Sequence, residues 1–403
     1  MKSHDSQFTI HNSRTGRLKT SSRTEWVRQS EIRNMSIECD RIGGINLSQG
    51  IVDTEVPLVV RRGAQEAMDK GINTYTRYDG LPELRKAIAG KHKRFTGLEY
   101  DPEGEIIVSA GATGALYCAC RALLEPGDEV IVFEPYYGYH VSTLLAAEAV
   151  PKFVRLDPPD WKVLENEVKK AVGPRTRGVI INTPANPSGK IFSEEEIGII
   201  GKVADENDLF IFTDEIYEHF IYDGKTHMPP ASLQGLRERT ITISGLSKTF
   251  SITGWRIGYC LCDRKWAESI GYFNDLIYVC APAPLQMGVA RGLIELGEDY
   301  YGSLEKEYHI KRDKICNTLL NAGLTPHIPQ GAYYVLADIS RLPGANSKER
   351  VMFLLNEAGV AAVPGMAFYH DDSGKNLARF CFAKDDNILG EACGRIEKLG
   401  NKV

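Results

Sequence analysis

Between residues 106 and 248 the chain keeps returning to one pattern: a short apolar run, a polar tip, and then a stretch of helical periodicity. Ile106-Ile107-Val108 leads to Ser109-Ala110-Gly111-Ala112-Thr113-Gly114 and a helical stretch from Ala115 to Leu124. Glu129 to Phe133 leads to Glu134-Pro135-Tyr136-Tyr137, and Gly178 to Ile181 leads to Asn182-Thr183-Pro184-Ala185-Asn186-Pro187. Leu209 to Phe212 ends in Thr213-Asp214-Glu215-Ile216-Tyr217, and Thr240 to Ile243 ends in Ser244-Gly245-Leu246-Ser247-Lys248. A further helix opens at Ser193, with Glu196 three residues on to complete a capping box. Continuous apolar runs need burial on both faces. The alternation therefore predicts an α/β fold, a mostly parallel sheet covered by helices on both faces. In such sheets ligands bind beyond the carboxyl ends of the strands. That rule gathers Ser109, Tyr137, Asn182, Asn186, Asp214 and Lys248 at one rim.

Around this unit, residues 1–22 are polar and aperiodic and read as a flexible arm. A helical pattern from Thr24 carries Trp26, Val27, Ile32, Met35 and Ile37 and stops at Gly43-Gly44. After Pro284 one long helical stretch runs from Leu285 through Glu305 to Leu320, and strand-like segments follow near 333–335, 360–363 and 377–382. The expected division is a large domain, 63–304, and a smaller α+β domain built from 23–62 and 305–403. A net charge of -5 argues against the concentrated basic surface of a nucleic-acid binder. No window suits a membrane span, and the first residues lack the apolar core of a signal peptide, so the expected location is the cytoplasm. Cys118/Cys120 and Cys260/Cys262 lie inside apolar runs without zinc-site spacing; they read as buried thiols, and no metal site is expected.

The chemistry concentrates around Lys248. It sits among small, hydroxyl-bearing residues, with Arg256 eight positions on. A lysine desolvated at a strand end becomes a nucleophilic amine. Hydroxyls, loop N–H groups and an arginine can cradle a phosphate. An imine-forming lysine beside a phosphate is what pyridoxal phosphate (PLP) requires. Gly111-Ala112-Thr113 opens a helix whose free N–H groups would bind an anion. It has neither P-loop spacing nor a full G-x-G-x-x-G, which favours the phosphate of a smaller cofactor. Asp214, ending an apolar strand, needs a cationic partner, and Arg379, between apolar residues, needs an anion.

From about Ile45 to the C-terminus these residues resemble the class I/II aminotransferase family of fold-type I PLP enzymes. The resemblance implies that Lys248 carries the cofactor as a Schiff base and moves the substrate's Cα proton. It gives Arg256, Gly111, Ala112, Thr113 and one of Ser244 and Ser247 to the phosphate. Asp214 would keep the pyridine nitrogen protonated, Tyr217 and Asn186 would bond the phenolic oxygen, and Tyr137 would lie against the ring, with Tyr136 and Tyr139 as competitors. Gly50, Asn186 and Arg379 would face the substrate, Arg379 taking its α-carboxylate, and Asn186-Pro187 is a candidate cis bond. Tyr75 would reach across a homodimer to the neighbouring subunit's phosphate.

The implied activity is ping-pong transfer of an amino group from an L-amino acid to a 2-oxo acid. A PLP lyase, an aminocyclopropane-carboxylate-synthase-like enzyme and an amino-acid oxidase need the same residues and stand as alternatives. A PLP-binding transcriptional regulator is a further one, although about 45 preceding residues leave little room for a DNA-binding module. The sequence departs from the family at Gly245, where many members have Ser, and at Val52 to Pro57, which replaces a Pro-Asp-Phe-like turn. Gly271 to Gln286 contains no Arg or Lys, which argues against aspartate selection by that route. Tyr333, Tyr334, Tyr78 and Phe368 suggest a roomy pocket for apolar or aromatic side chains.

Overall fold

The computed structural model describes residues 18–27 and 29–401. Most of the expected N-terminal arm, 1–17, lies outside the described residues. After a short first strand, β1 (Ile45–Asn46), seven strands build the central sheet. They are β2 (Ile106–Ser109), β3 (Glu129–Glu134), β4 (Val150–Arg155), β5 (Thr176–Asn182), β6 (Phe210–Asp214), β7 (Thr240–Gly245) and β8 (Gly258–Leu261). Their spatial order is β2-β8-β7-β6-β5-β3-β4, and only β8 runs against its neighbours.

The apolar runs are continuous because both faces are covered. Alternate residues of a strand point to opposite sides. Val130 and Val132 of β3 pack with Phe212, Ile241 and Leu116 of helix Gly111–Leu123. Ile131 and Phe133 pack instead with Ile211 and with Ile197 and Ile200 of helix Glu194–Glu206. That second helix starts with the expected capping box between Ser193 and Glu196.

The remaining strands are β9 (Thr325–His327), β10 (Tyr334–Asp338), β11 (Val360–Ala361), β12 (Val363–Pro364) and β13 (Leu377–Cys381). Four of them form an antiparallel sheet in the order β12-β13-β10-β9. β11 pairs in parallel with β1, Ile45 opposite Val360, which ties the two ends of the chain together. Met35, Ile315, Leu354, Val360, Phe380 and Ile396 share one core there.

Two local expectations change. The helical pattern from Thr24 resolves into a short 3₁₀ turn, Ser22–Glu25, and a helix that begins only at Glu31, behind the Ser30 cap. Trp26 and Val27 stay exposed, with no core beneath them to fix a longer helix. The single long helix after Pro284 is two, Ala283–Glu295 and Glu298–Asn321, because Gly297 is extended (φ -80°, ψ -178°). All nine cysteines are free thiols, and those of both C-x-C pairs are buried. Among the described residues no helix is long and apolar enough to cross a membrane.

Candidate active site

Beyond the carboxyl ends of β5, β6 and β7 opens a cavity of about 460 Å³. Gly50, Ala112, Thr113, Tyr137, Asn186, Asp214, Tyr217, Ser247, Lys248, Arg256 and Arg379 all line it. Topology alone brings these distant residues together.

Lys248 stands just past β7, its Nζ donating to the Gly50 carbonyl at 3.1 Å. Burial pushes its amine down to about 8, and the cations of Arg256 and Arg379 push the same way. Near physiological pH roughly a fifth of the amine is then neutral, far more than for an ordinary lysine, although most still carries its proton. Arg379, also in the cavity wall, is completely buried. Its guanidinium donates to Asn186 Oδ1 at 2.8 Å and to the Ser48 carbonyl, and lies 4.2 Å over the Tyr334 ring. Its Nε has no partner. Among the described residues no carboxylate pairs with it, so a fully buried cation faces the cavity without its counter-ion.

Asp214 ends β6 and points into the cavity. Its Oδ2 lies 2.8 Å from His140 Nε2, and its Oδ1 accepts from the Ile216 N–H. His140 is absent from the sequence reading, yet a signal existed: it follows Tyr137 by three residues, one helical turn. Tyr217 Oη lies 3.0 Å from Tyr334 Oη. Tyr137 is stacked on Tyr139 and edge-on to His140. The Asn186–Pro187 bond is cis.

At the other end, helix Gly111–Leu123 begins at the cavity with no side-chain cap on its first N–H groups. Gly111 has φ +80°, and a Cβ there would sit 2.2 Å from Arg256 Nη2. A Cβ on Gly258 would likewise meet Ala112 N at 2.3 Å. Both glycines let the helix end, the lysine loop and Arg256 close in on one spot. Gly245, the departure from the family pattern, has the same kind of reason. Its Cβ would lie 2.9 Å from Gly258 Cα, so β7 and β8 leave no room for serine. These residues would fit PLP: free N–H groups, the Ser247 hydroxyl and Arg256 for a phosphate, an acid for the ring nitrogen, and the Lys248 amine for the imine.

Three candidates do not line the cavity. Gly111 stands behind Ala112 at the helix start. Ser244 is fully buried and donates to Glu218 Oε1 at 2.8 Å, on the far side of β7 from the cavity residues. Tyr75 is 82% exposed. The aromatic pocket also differs from expectation, for of its four rings only Tyr334 faces the cavity. Tyr333 turns into the core and donates to the Gly50 carbonyl, Phe368 packs against Arg379, and Tyr78 lies against Tyr272. In their place the helix start at Ser30, Ile32 and Arg33 joins Gln49, Ile51 and Tyr139 as cavity wall.

Residues 42–396 match the sequence model of the family described as aminotransferase class I and II. An aspartate aminotransferase of Pyrococcus abyssi is 36% identical over 385 residues, covering 95% of this chain and 98% of that protein. A methionine aminotransferase of Escherichia coli is 32% identical over 365 residues, covering 91% of this chain and 94% of that one. The solved structure of N-succinyldiaminopimelate aminotransferase from Mycobacterium tuberculosis superposes with a TM-score of 0.91 at 35% identity, over 94% of this chain and all of that one.

Proposed function

The chain belongs to the class I and II aminotransferases and is a PLP-dependent enzyme of amino-group transfer; from that premise we propose which of its residues do the work. When bound, PLP supplies an electron-withdrawing ring that takes up the pair left as the substrate's Cα–H bond breaks. Lys248 holds the cofactor. Its Nζ, when free, would be the base that takes the substrate's Cα proton and the acid that gives a proton back. Asp214, oriented by His140, keeps a proton on the ring nitrogen. Tyr217 and Asn186 donate to the ring oxygen, Tyr137 covers the ring face, and Arg256, Ser247 and the N–H groups of 111–113 hold the phosphate. Arg379 takes the substrate α-carboxylate in a two-point bond. A second half-reaction with a 2-oxo acid completes a ping-pong cycle.

The observation that carries this reading is a desolvated amine of lowered pKa and a buried guanidinium without a carboxylate partner lining one cavity. The donor preference follows from what lines the outer wall. Ile32, Ile51 and Tyr139 favour an apolar or aromatic side chain, and Arg33 at the mouth can meet the second carboxylate of a dicarboxylic acceptor.

The reading divides the chain near 62 and 304, supported by the β1–β11 pairing of its ends. It also makes the enzyme a homodimer in which Tyr75 is lent to the partner. Thr76 N–H contacts Cys280 Sγ at 3.4 Å, and nearby Leu276 is 80% exposed, as a face awaiting a second copy would be. We place the enzyme in the cytoplasm, where its free thiols persist.

The test is borohydride reduction of the PLP-loaded protein, peptide mapping, and an amino-donor panel read as 2-oxo acid formed. The pyridoxyl label is expected on the Lys248 peptide and absent from Lys248→Ala. A label on another lysine overturns the assignment.

A further inference from the structure

Behind the rim lies a second set of charges that the transfer reaction as described does not use. Lys91, on helix Pro82–Thr96, is buried and ion-paired with the buried Glu218. Glu218 Oε1 also accepts the Ser244 hydroxyl at 2.8 Å, and Lys91 Nζ donates to Tyr259 Oη on β8 at 3.0 Å. Burial by itself would raise the Glu218 carboxyl. Lys91 and the neighbouring imidazoles outweigh it and hold the group ionised, well below the usual carboxylate range.

The chain positions of these groups carry the argument. Glu218 follows Tyr217 in the turn that leaves β6, four residues after Asp214. Ser244 lies on β7, four residues before Lys248. One carboxylate oxygen therefore joins the turn that presents Asp214 and Tyr217 to the strand that presents Lys248, with the Lys91 ammonium as a third anchor. A buried ion pair is close to break-even in stability against apolar residues of similar size, so stability alone gives little reason for one here. Two donors converging on one oxygen do fix its place, and with it the relative placement of the two elements.

We propose that Lys91 and Glu218, through Ser244, are positioning residues of the transfer reaction: they set the placement of Tyr217 and Asp214 relative to Lys248. The proposal rests on the site assignment above. The Lys91→Met/Glu218→Gln double variant removes both charges at nearly constant shape, and Ser244→Ala removes only the bridging hydroxyl. Each is prepared as the PLP-loaded enzyme and compared with wild type in four measurements. These are PLP affinity, the thermal midpoint of the PLP-free protein, the pH midpoint of the PLP absorbance change, and kcat and KM.

The double variant should keep PLP affinity and thermal midpoint near wild type. Its kcat should fall about tenfold or more while KM changes less than about threefold, and its spectral midpoint should move. Ser244→Ala should move kcat and the spectral midpoint in the same direction by less. A double variant that folds with wild-type kcat and spectral midpoint overturns the proposal, since the network then only holds structure. If the double variant does not fold, an unchanged kcat and midpoint in Ser244→Ala overturn it equally. Failure of the underlying site assignment looks different: the borohydride label in the wild-type enzyme would then be missing from Lys248.

Discussion

Gly50 leaves no room for a side chain in the cavity wall, and Gly50→Ala puts a number on that. A Cβ on Gly50 would lie 1.7 Å from Tyr334 Oη and 2.8 Å from its Cζ. Tyr334 has little freedom to yield. It is buried, its hydroxyl meets Tyr217 Oη at 3.0 Å, Arg379 lies 4.2 Å over its ring, and Tyr333 packs on it at 4.8 Å. Either Tyr334 swings away from Tyr217 and Arg379, or the Gly50 backbone retreats. In retreat its carbonyl leaves both Lys248 Nζ at 3.1 Å and Tyr333 Oη at 3.2 Å. Overpacking of this kind costs about 1–3 kcal/mol. A lost hydrogen bond adds about 1 kcal/mol. A total of about 2–4 kcal/mol, if borne by the transition state, lowers kcat/KM by roughly 30- to 1000-fold.

Because the crowded ring supports Arg379, much of the Gly50→Ala loss should fall in KM for amino acids. Adding Tyr334→Phe removes the atom at 1.7 Å but leaves Cζ at 2.8 Å, so the double variant should recover only part of the loss, about tenfold. The assay is steady-state kinetics of wild type, both single variants and the double. A Gly50→Ala enzyme within about twofold of wild-type kcat/KM, or a double variant no better than Gly50→Ala, refutes the reasoning.

Asp214→Ala should lower kcat by about 10²–10³ with little change in KM, since its charge acts on charge that develops in the transition state; a raised KM at unchanged kcat would contradict this. Burial lowers Lys248 to about 8 from an ordinary 10.5, and only the neutral amine attacks the cofactor carbonyl. Covalent capture of PLP by the PLP-free protein should therefore rise with pH, reach half-maximum near 8 and then level off; a midpoint above about 10 would show an amine that is not desolvated. Tyr75→Phe should weaken PLP binding by about 1–2 kcal/mol, and its heterodimer with Lys248→Ala should hold one site of wild-type affinity; a heterodimer with only weak sites would rule out the shared tyrosine.

What the sequence made legible follows from where the signal was local. The βα alternation located β2, β3, β5, β6 and β7, because each is an apolar run flanked by polar tips. It passed over β4, an edge strand that pairs only with β3 and carries Pro151 and Lys152 in place of an apolar run. It also passed over β8, whose apolar residues follow directly on the lysine loop and whose reversed direction no periodicity reveals. Charged residues in small or apolar surroundings, Lys248, Asp214 and Arg379, stood out for the same local reason and do line the cavity. Face choice was harder. Tyr333 and Tyr334 are neighbours, so around a strand they must point opposite ways, and only Tyr334 reaches the cavity. Ser244 and Ser247 divide alike: one lies within β7 and turns to its back, the other lies past its end.

The same division explains why the Lys91–Glu218 pair could not be read from sequence. Each residue alone looks like surface charge, one on an amphipathic helix and the other in a polar turn, and they lie far apart in the chain. The sequence Asp214-Glu215-Ile216-Tyr217-Glu218 looks like one polar tip, but it has two working faces. Asp214, Ile216 and Tyr217 line the cavity. Glu215 and Glu218 turn away from it, Glu215 to Thr213 and His227 and Glu218 to Lys91 and Ser244. A tip held only by backbone bonds could rock, and the ring-facing groups would rock with it. Carboxylates anchored on the far face deny it that motion, so the residues that never meet the substrate govern how well placed those that do can be.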